Sequence, residues 1–201
     1  LIATSFFSIL IFWILNFNKN FNYLQPFLLI PSAFLLIIHP LFVSNHFLTT
    51  DLSPLFMTHI AIALLAYSLF TFSAYVAIFI LIFEKKLHQK KKIDMILSGF
   101  QPLIDMENFL FNINKIGFIL LTITLISGIL FSEQLFGTPL QFNHKSVFSI
   151  LAWLIYGLLL LGKRLYGWRG RNSIYISLTA FVFLLLSYLG SKFVLEIILH
   201  R

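Results

Sequence analysis

The stretch "HKSVFSILAWLIYGLLLLGKRLYGWRGR", residues 144–171, decides the fold. It opens on His144, runs apolar from 146 to 162, and closes on Lys163, Arg164, Arg169 and Arg171. An apolar run of this length that ends in a basic knot is what a helix needs to cross a bilayer and anchor on one side, because the hydrocarbon core takes roughly 20 residues. Five further segments of the same kind lie at about 1–17, 24–43, 55–83, 110–132 and 172–190. The expected fold is therefore all-α: a polytopic transmembrane bundle of about six spans in a single domain, 1–201.

Composition agrees with that reading. Hydrophobic residues make up 59% of the chain and charged residues 10%, with mean hydropathy +0.94. A soluble domain carries about 25% charged residues. The net charge of +7 does not point to nucleic acid, since the basic residues sit in short clusters between apolar runs and no nucleic-acid motif is present. The chain has no cysteine, which excludes disulfides, thiolate metal sites, covalent haem attachment and thiol catalysis. It begins at Leu1, so residues are expected to be missing ahead of it. Its first apolar run lacks a basic leader and a small-residue cleavage site, and reads as a span, not a signal peptide.

Lysine and arginine in short loops mark the cytoplasmic side. Lys85, Lys86, Lys90, Lys91 and Lys92 follow the third span, and the knot at 163–171 follows the fifth. With Lys19 and Lys115, eleven of the fourteen basic residues fall on one side, against Lys145, Lys192 and Arg201 on the other. Loops 84–92 and 163–171 are thus expected to be cytoplasmic and the C-terminus external. The membrane lipid is the first partner this implies.

That topology sorts the histidines. His88 falls in the cytoplasmic loop, while His39, His46, His59, His144 and His200 fall at or near the outer face. His59 is the most informative, because it lies inside "PLFMTHIAIALLAYSLF", just below the start of a span. An ionisable group there faces the bundle interior or a wet cavity. Two readings are open: an imidazole bonded to a backbone carbonyl, Tyr67 or Ser68, or an axial ligand to haem iron with a second histidine. His144 reads first as an interfacial cap. Asp105 and Glu107, in "QPLIDMENFLF", suit the first turn of an interfacial helix opened by Pro102 and leading into the fourth span. The 25 phenylalanines are expected mostly on lipid-facing surface.

Four segments carry a family resemblance. "WLIYGLLLLGKRLYGWRGR" at 153–171 and "YLGSKFVLEIIL" at 188–199 resemble the cytochrome c assembly membrane proteins, on their HemX-like and YpjD-like branch. "LFMTHIAIALLAYSLFTFSAYVAIFILIFEKKL" at 55–87 is similar to that family's histidine-bearing helix, and "PLIDMENFLFNINKIGFILLTITLISGILFSE" at 102–133 to the helix that follows it. The likeness covers about 55–199. It implies an inner-membrane protein that carries or hands over haem at the outer face, alongside other cytochrome c maturation proteins. It also implies iron ligation by His59 and a second histidine, for which His200 after "YLG" stands at nearly the family's offset, with His144 behind it. The family's tryptophan-rich outer platform is not kept: residues 136–146 read "FGTPLQFNHKS", and the chain's tryptophans are Trp13, Trp153 and Trp168.

The expected function is haem binding and handling in cytochrome c assembly, with no bond-making chemistry of its own. Two other classes are consistent with the residues. One is a structural or regulatory membrane subunit that kept the fold without haem. The other is a small-solute transporter with His39 and His59 along a polar path.

Overall fold

The computed structural model describes residues 54–88, 103–136 and 144–193. The first two expected spans, His39, His46 and His200 lie outside the described residues. The rest forms four helices: α1 (Pro54–His88), α2 (Leu103–Phe136), α3 (His144–Tyr166) and α4 (Arg171–Phe193). All four are long and apolar enough to cross a membrane. Among the described residues there is no strand.

The helices run alternately up and down. Contacts at both ends fix this: His59 near the start of α1 meets Ser127 near the end of α2, and Glu107 near the start of α2 meets Gly170 just ahead of α4. α1 pairs most broadly with α2, and α3 with α4. α1 is buried on most sides, with Phe70, Phe72, Val76, Ala77 and Ile80 all inaccessible or nearly so. On α3 the buried positions are Ser149, Ala152, Tyr156, Leu159 and Gly162. On α4, Ser173, Ser177, Ala180, Leu184 and Ser187 repeat at alternating steps of four and three. Small residues at that spacing let two backbones approach closely, which is how helices associate where no hydrophobic gradient separates them from lipid.

Two expectations are corrected here. The acidic segment does open a helix, with Asp105 in its first turn, but it and the span expected to start at about 110 are one helix, α2, continuous from Leu103 to Phe136. At 1.5 Å per residue those 34 residues reach about 50 Å, well beyond the roughly 30 Å of hydrocarbon. Nothing between Asp105 and Ile113 breaks the helix, so interfacial and spanning parts merge. Among the described residues the phenylalanines, in turn, are not on the exposed surface: Phe70, Phe72, Phe79, Phe83 and Phe111 are buried, and the exposed apolar surface is made by Ile, Leu, Val and a few other residues. Flat rings fill the wedges between helices and gain dispersion contacts there that lipid tails do not match as closely.

Several buried polar groups are tied across helices. Ser73 of α1 donates to Asn114 Oδ1 at 2.6 Å, and Asn114 Nδ2 donates to Ser177 of α4 at 2.9 Å. Ser149 and Ser187 join α3 to α4 at 2.6 Å. The Trp153 indole N–H donates to Thr122 Oγ1 at 2.8 Å, fastening α3 to α2.

The basic knot is a folded joint as well as an anchor. Gly167 and Gly170 take φ of 65° and 76°, left-handed values that favour glycine. The Trp168 N–H reaches back six positions to the Gly162 carbonyl at 3.2 Å, pairing one of the carbonyls left open at the end of α3. A side chain at 162 would run into the Trp168 indole. Gly170 then opens α4: its carbonyl accepts from Ser173 and Ile174, and its own N–H donates to Glu107 Oε1 at 2.8 Å. Arg169 donates to Asn108 at 3.3 Å, and the Lys163 ammonium lies 4.4 Å over the Phe111 ring. Glu107→Ala removes a charged acceptor from this joint and should cost about 1 kcal/mol. A lower thermal midpoint in detergent checks it; an unchanged midpoint would show the contact contributes nothing.

Candidate functional site at the His59 end of the bundle

The start of α1, the end of α2 and the start of α3 lie at the end of the bundle opposite the basic joint. His59 lies one and a half turns into α1, half-buried. Its Nδ1 is 2.7 Å from Ser127 Oγ on α2. Neither Tyr67 nor Ser68 is its partner: Ser68 instead returns its hydroxyl to the Leu64 carbonyl. Phe56 stacks on the imidazole at 6.2 Å, and Phe131 meets it at 5.6 Å and 66°. The two phenyl rings touch each other edge to face at 6.0 Å. Gly128 lies beside the imidazole, where an added Cβ would be 3.5 Å from Cε1. Among the described residues nothing hydrogen-bonds Nε2.

α3 adds two groups to this end. Lys145 is exposed and close enough to His59 for their charges to interact. Its carbonyl accepts from Ser149 at 2.8 Å and from Ser187 at 2.9 Å, so the first turn of α3 is fastened to α4. His144 is the first residue of α3 and exposed. It shares this end with His59, but no ring contact or hydrogen bond joins the two. His88 ends α1 at the opposite end. Among the described residues no three His, Cys, Asp or Glu side chains cluster as a metal cage.

Reasoning from sequence found His59 and missed its partners. Ser127 and Gly128 form a small polar step in the apolar run "LTITLISGILF". Lying 68 residues from His59, they could be paired with it only once α1 and α2 were seen to be antiparallel neighbours.

The fold and this end of it define a multi-pass helical membrane protein with an aromatic-walled histidine site near one face. The chain belongs to the cytochrome c assembly family: the model of that family, described as "Cytochrome C assembly protein", matches residues 1–199. The match takes in the segments of the first two expected spans, which are too generic to carry a resemblance by eye. Among curated proteins the chain is 32% identical over 158 residues to the inner membrane protein YpjD of Escherichia coli K12, covering 78% of this chain and 59% of that one. It is 36% identical over 78 residues to the cytochrome c biogenesis protein CcsA of Prochlorococcus marinus MIT 9301, covering 39% and 25%. With the CcsA of Guillardia theta it shares 24% over 151 residues, covering 68% and 50%. The chain thus spans about three fifths of the length of YpjD, or less of the others. No solved structure matches it.

Proposed function

We propose that this protein binds haem at the His59 end of the bundle and serves cytochrome c assembly as an accessory haem-handling protein of the bacterial inner membrane. The observation that supports this most is the His59 imidazole itself: it is held by Ser127 through Nδ1 and walled by Phe56 and Phe131, while Nε2 is uncommitted among the described residues. Bound haem would supply an iron that accepts an imidazole nitrogen. The residues fit such a group. His59 offers the nitrogen, the two phenyl rings offer flat apolar contact in a chain whose outer loop has no tryptophan, and Lys145 offers a cation for carboxylate side chains. His200 is the second ligand by family offset, and His144, which shares this end, is the next candidate. The chain acts as one domain, with other cytochrome c maturation proteins as its partners.

The test is an absorption spectrum of the full chain, produced with haem available and purified in mild detergent. A Soret band that co-purifies in stoichiometric amount supports the proposal. A colourless preparation that takes up no added haem overturns it and leaves a structural or regulatory subunit.

The orientation is tested separately. Reporter tags after Glu84 and after Gly167 should be cytoplasmic, and tags at Thr50 and Arg201 external, because the basic residues concentrate on the first side. External labelling near 84–92 would invert the arrangement and put the His59 site on the cytoplasmic face.

A further inference from the structure

We infer that Ser127 is a positioning residue that fixes His59 as the Nδ1–H tautomer, so that Nε2 carries the free electron pair. The inference rests on the haem-binding reading for its purpose, though not for its geometry.

The proton bookkeeping leads there. A serine hydroxyl has one hydrogen. Ser127 Oγ lies 2.8 Å from the Ile123 carbonyl and 3.2 Å from that of Thr124, both within its own helix. A carbonyl can only accept, so the Ser127 hydrogen is spent on the backbone, the return bond usual for serine inside a helix. The 2.7 Å contact with His59 Nδ1 then takes its hydrogen from the imidazole. A neutral imidazole has one N–H, so placing it at Nδ1 leaves Nε2 as the acceptor. The opposite tautomer would need Ser127 to abandon the Ile123 carbonyl, and it would turn an N–H outward where a ligand atom is wanted.

The neighbours keep the ring from escaping this choice. Phe56 and Phe131 hold its plane. Gly128 keeps the space next to Cε1, the carbon between the two nitrogens, free of a side chain. Ser127 and Gly128 are consecutive, so one short step on α2 sets both the tautomer and the clearance beside the ring.

Nitrogen-15 NMR of histidine-labelled protein without haem reads the tautomer directly, with His59→Ala assigning the signal among the six histidines. The wild type should show a protonated Nδ1 and a bare Nε2 at His59. Ser127→Ala should move that signal toward the Nε2–H form, and Ser127→Thr, which keeps a hydroxyl, should hold it. Hemin titration should show Ser127→Ala binding about 10–100-fold more weakly, as when a metal-ligating histidine loses its hydrogen-bond partner, with Ser127→Thr near wild type. A wild-type His59 protonated at Nε2, or an unchanged signal in Ser127→Ala, would overturn the inference. If the wild type binds no hemin, the haem reading fails while the NMR comparison still tests Ser127.

Discussion

His59→Ala should lose the Soret band of the wild type, or shift it, while the protein still inserts and purifies. The loss of hemin affinity should exceed the 10–100-fold expected when only a ligand's hydrogen-bond partner is removed, because here the nitrogen proposed to coordinate iron is itself gone. Free imidazole added to the variant should recover part of the signal, since truncation leaves a ring-sized space beside Phe56 and Phe131. His88→Ala should change nothing, as His88 closes α1 at the opposite end. Comparing His200→Ala with His144→Ala tests the two proposed second ligands, with the larger loss expected at His200. A His59→Ala protein with an unaltered band and affinity would remove His59 from the site.

The second large effect concerns the centre of the bundle. Phe70 of α1 and Tyr156 of α3 stack at 4.0 Å, and both are fully inaccessible. Gly117 of α2 lies against the same ring: a Cβ there would be 3.0 Å from Phe70 Cε1 and Cζ. One side chain thus ties three helices together. Phe70→Ala should lower stability by about 2–3 kcal/mol, the cost of a ring-sized void at about 24 cal/mol per Å³. The transfer contribution that adds to such losses in water is small here, because the unfolded helices remain in an apolar solvent. An SDS-unfolding titration in mixed micelles measures the change. A midpoint equal to wild type would mean the neighbours close the gap and that this stack does not hold the bundle together.

These two variants also separate what could be read along the chain from what could not. The spans at 55–83, 146–162 and 172–190 are legible because lipid imposes a one-dimensional requirement, a sufficient length of apolar residues. The alternation of helix directions is legible for the same reason: each crossing reverses direction, and the basic clusters at 85–92 and 163–171 mark the reversals. His59 is visible because an imidazole in an apolar helix has a cost that needs a reason. The 110–132 boundary fails at its start because Asp105, Glu107 and Asn108 are polar without breaking a helix, and polarity marks the interface, not a helix end. For the described phenylalanines the expectation fails too, because in lipid a ring is equally soluble inside and outside the bundle, so only its shape decides its side.

The sequence by itself determined that this chain crosses the membrane repeatedly, which ends of its helices share a face, and that an imidazole, His59, lies near the start of an apolar helix. Those are properties of hydropathy, charge and order, and they are local. Only the tertiary structure decided that Ser127 is the atom bound to His59, that Asn114 joins Ser73 to Ser177, and that Glu107 closes the joint before α4. Each of those contacts depends on the axial register and rotation of one helix against another. Register in lipid is set by close packing of side-chain shapes and by the few hydrogen bonds between helices, and neither leaves a period that can be counted along a single chain.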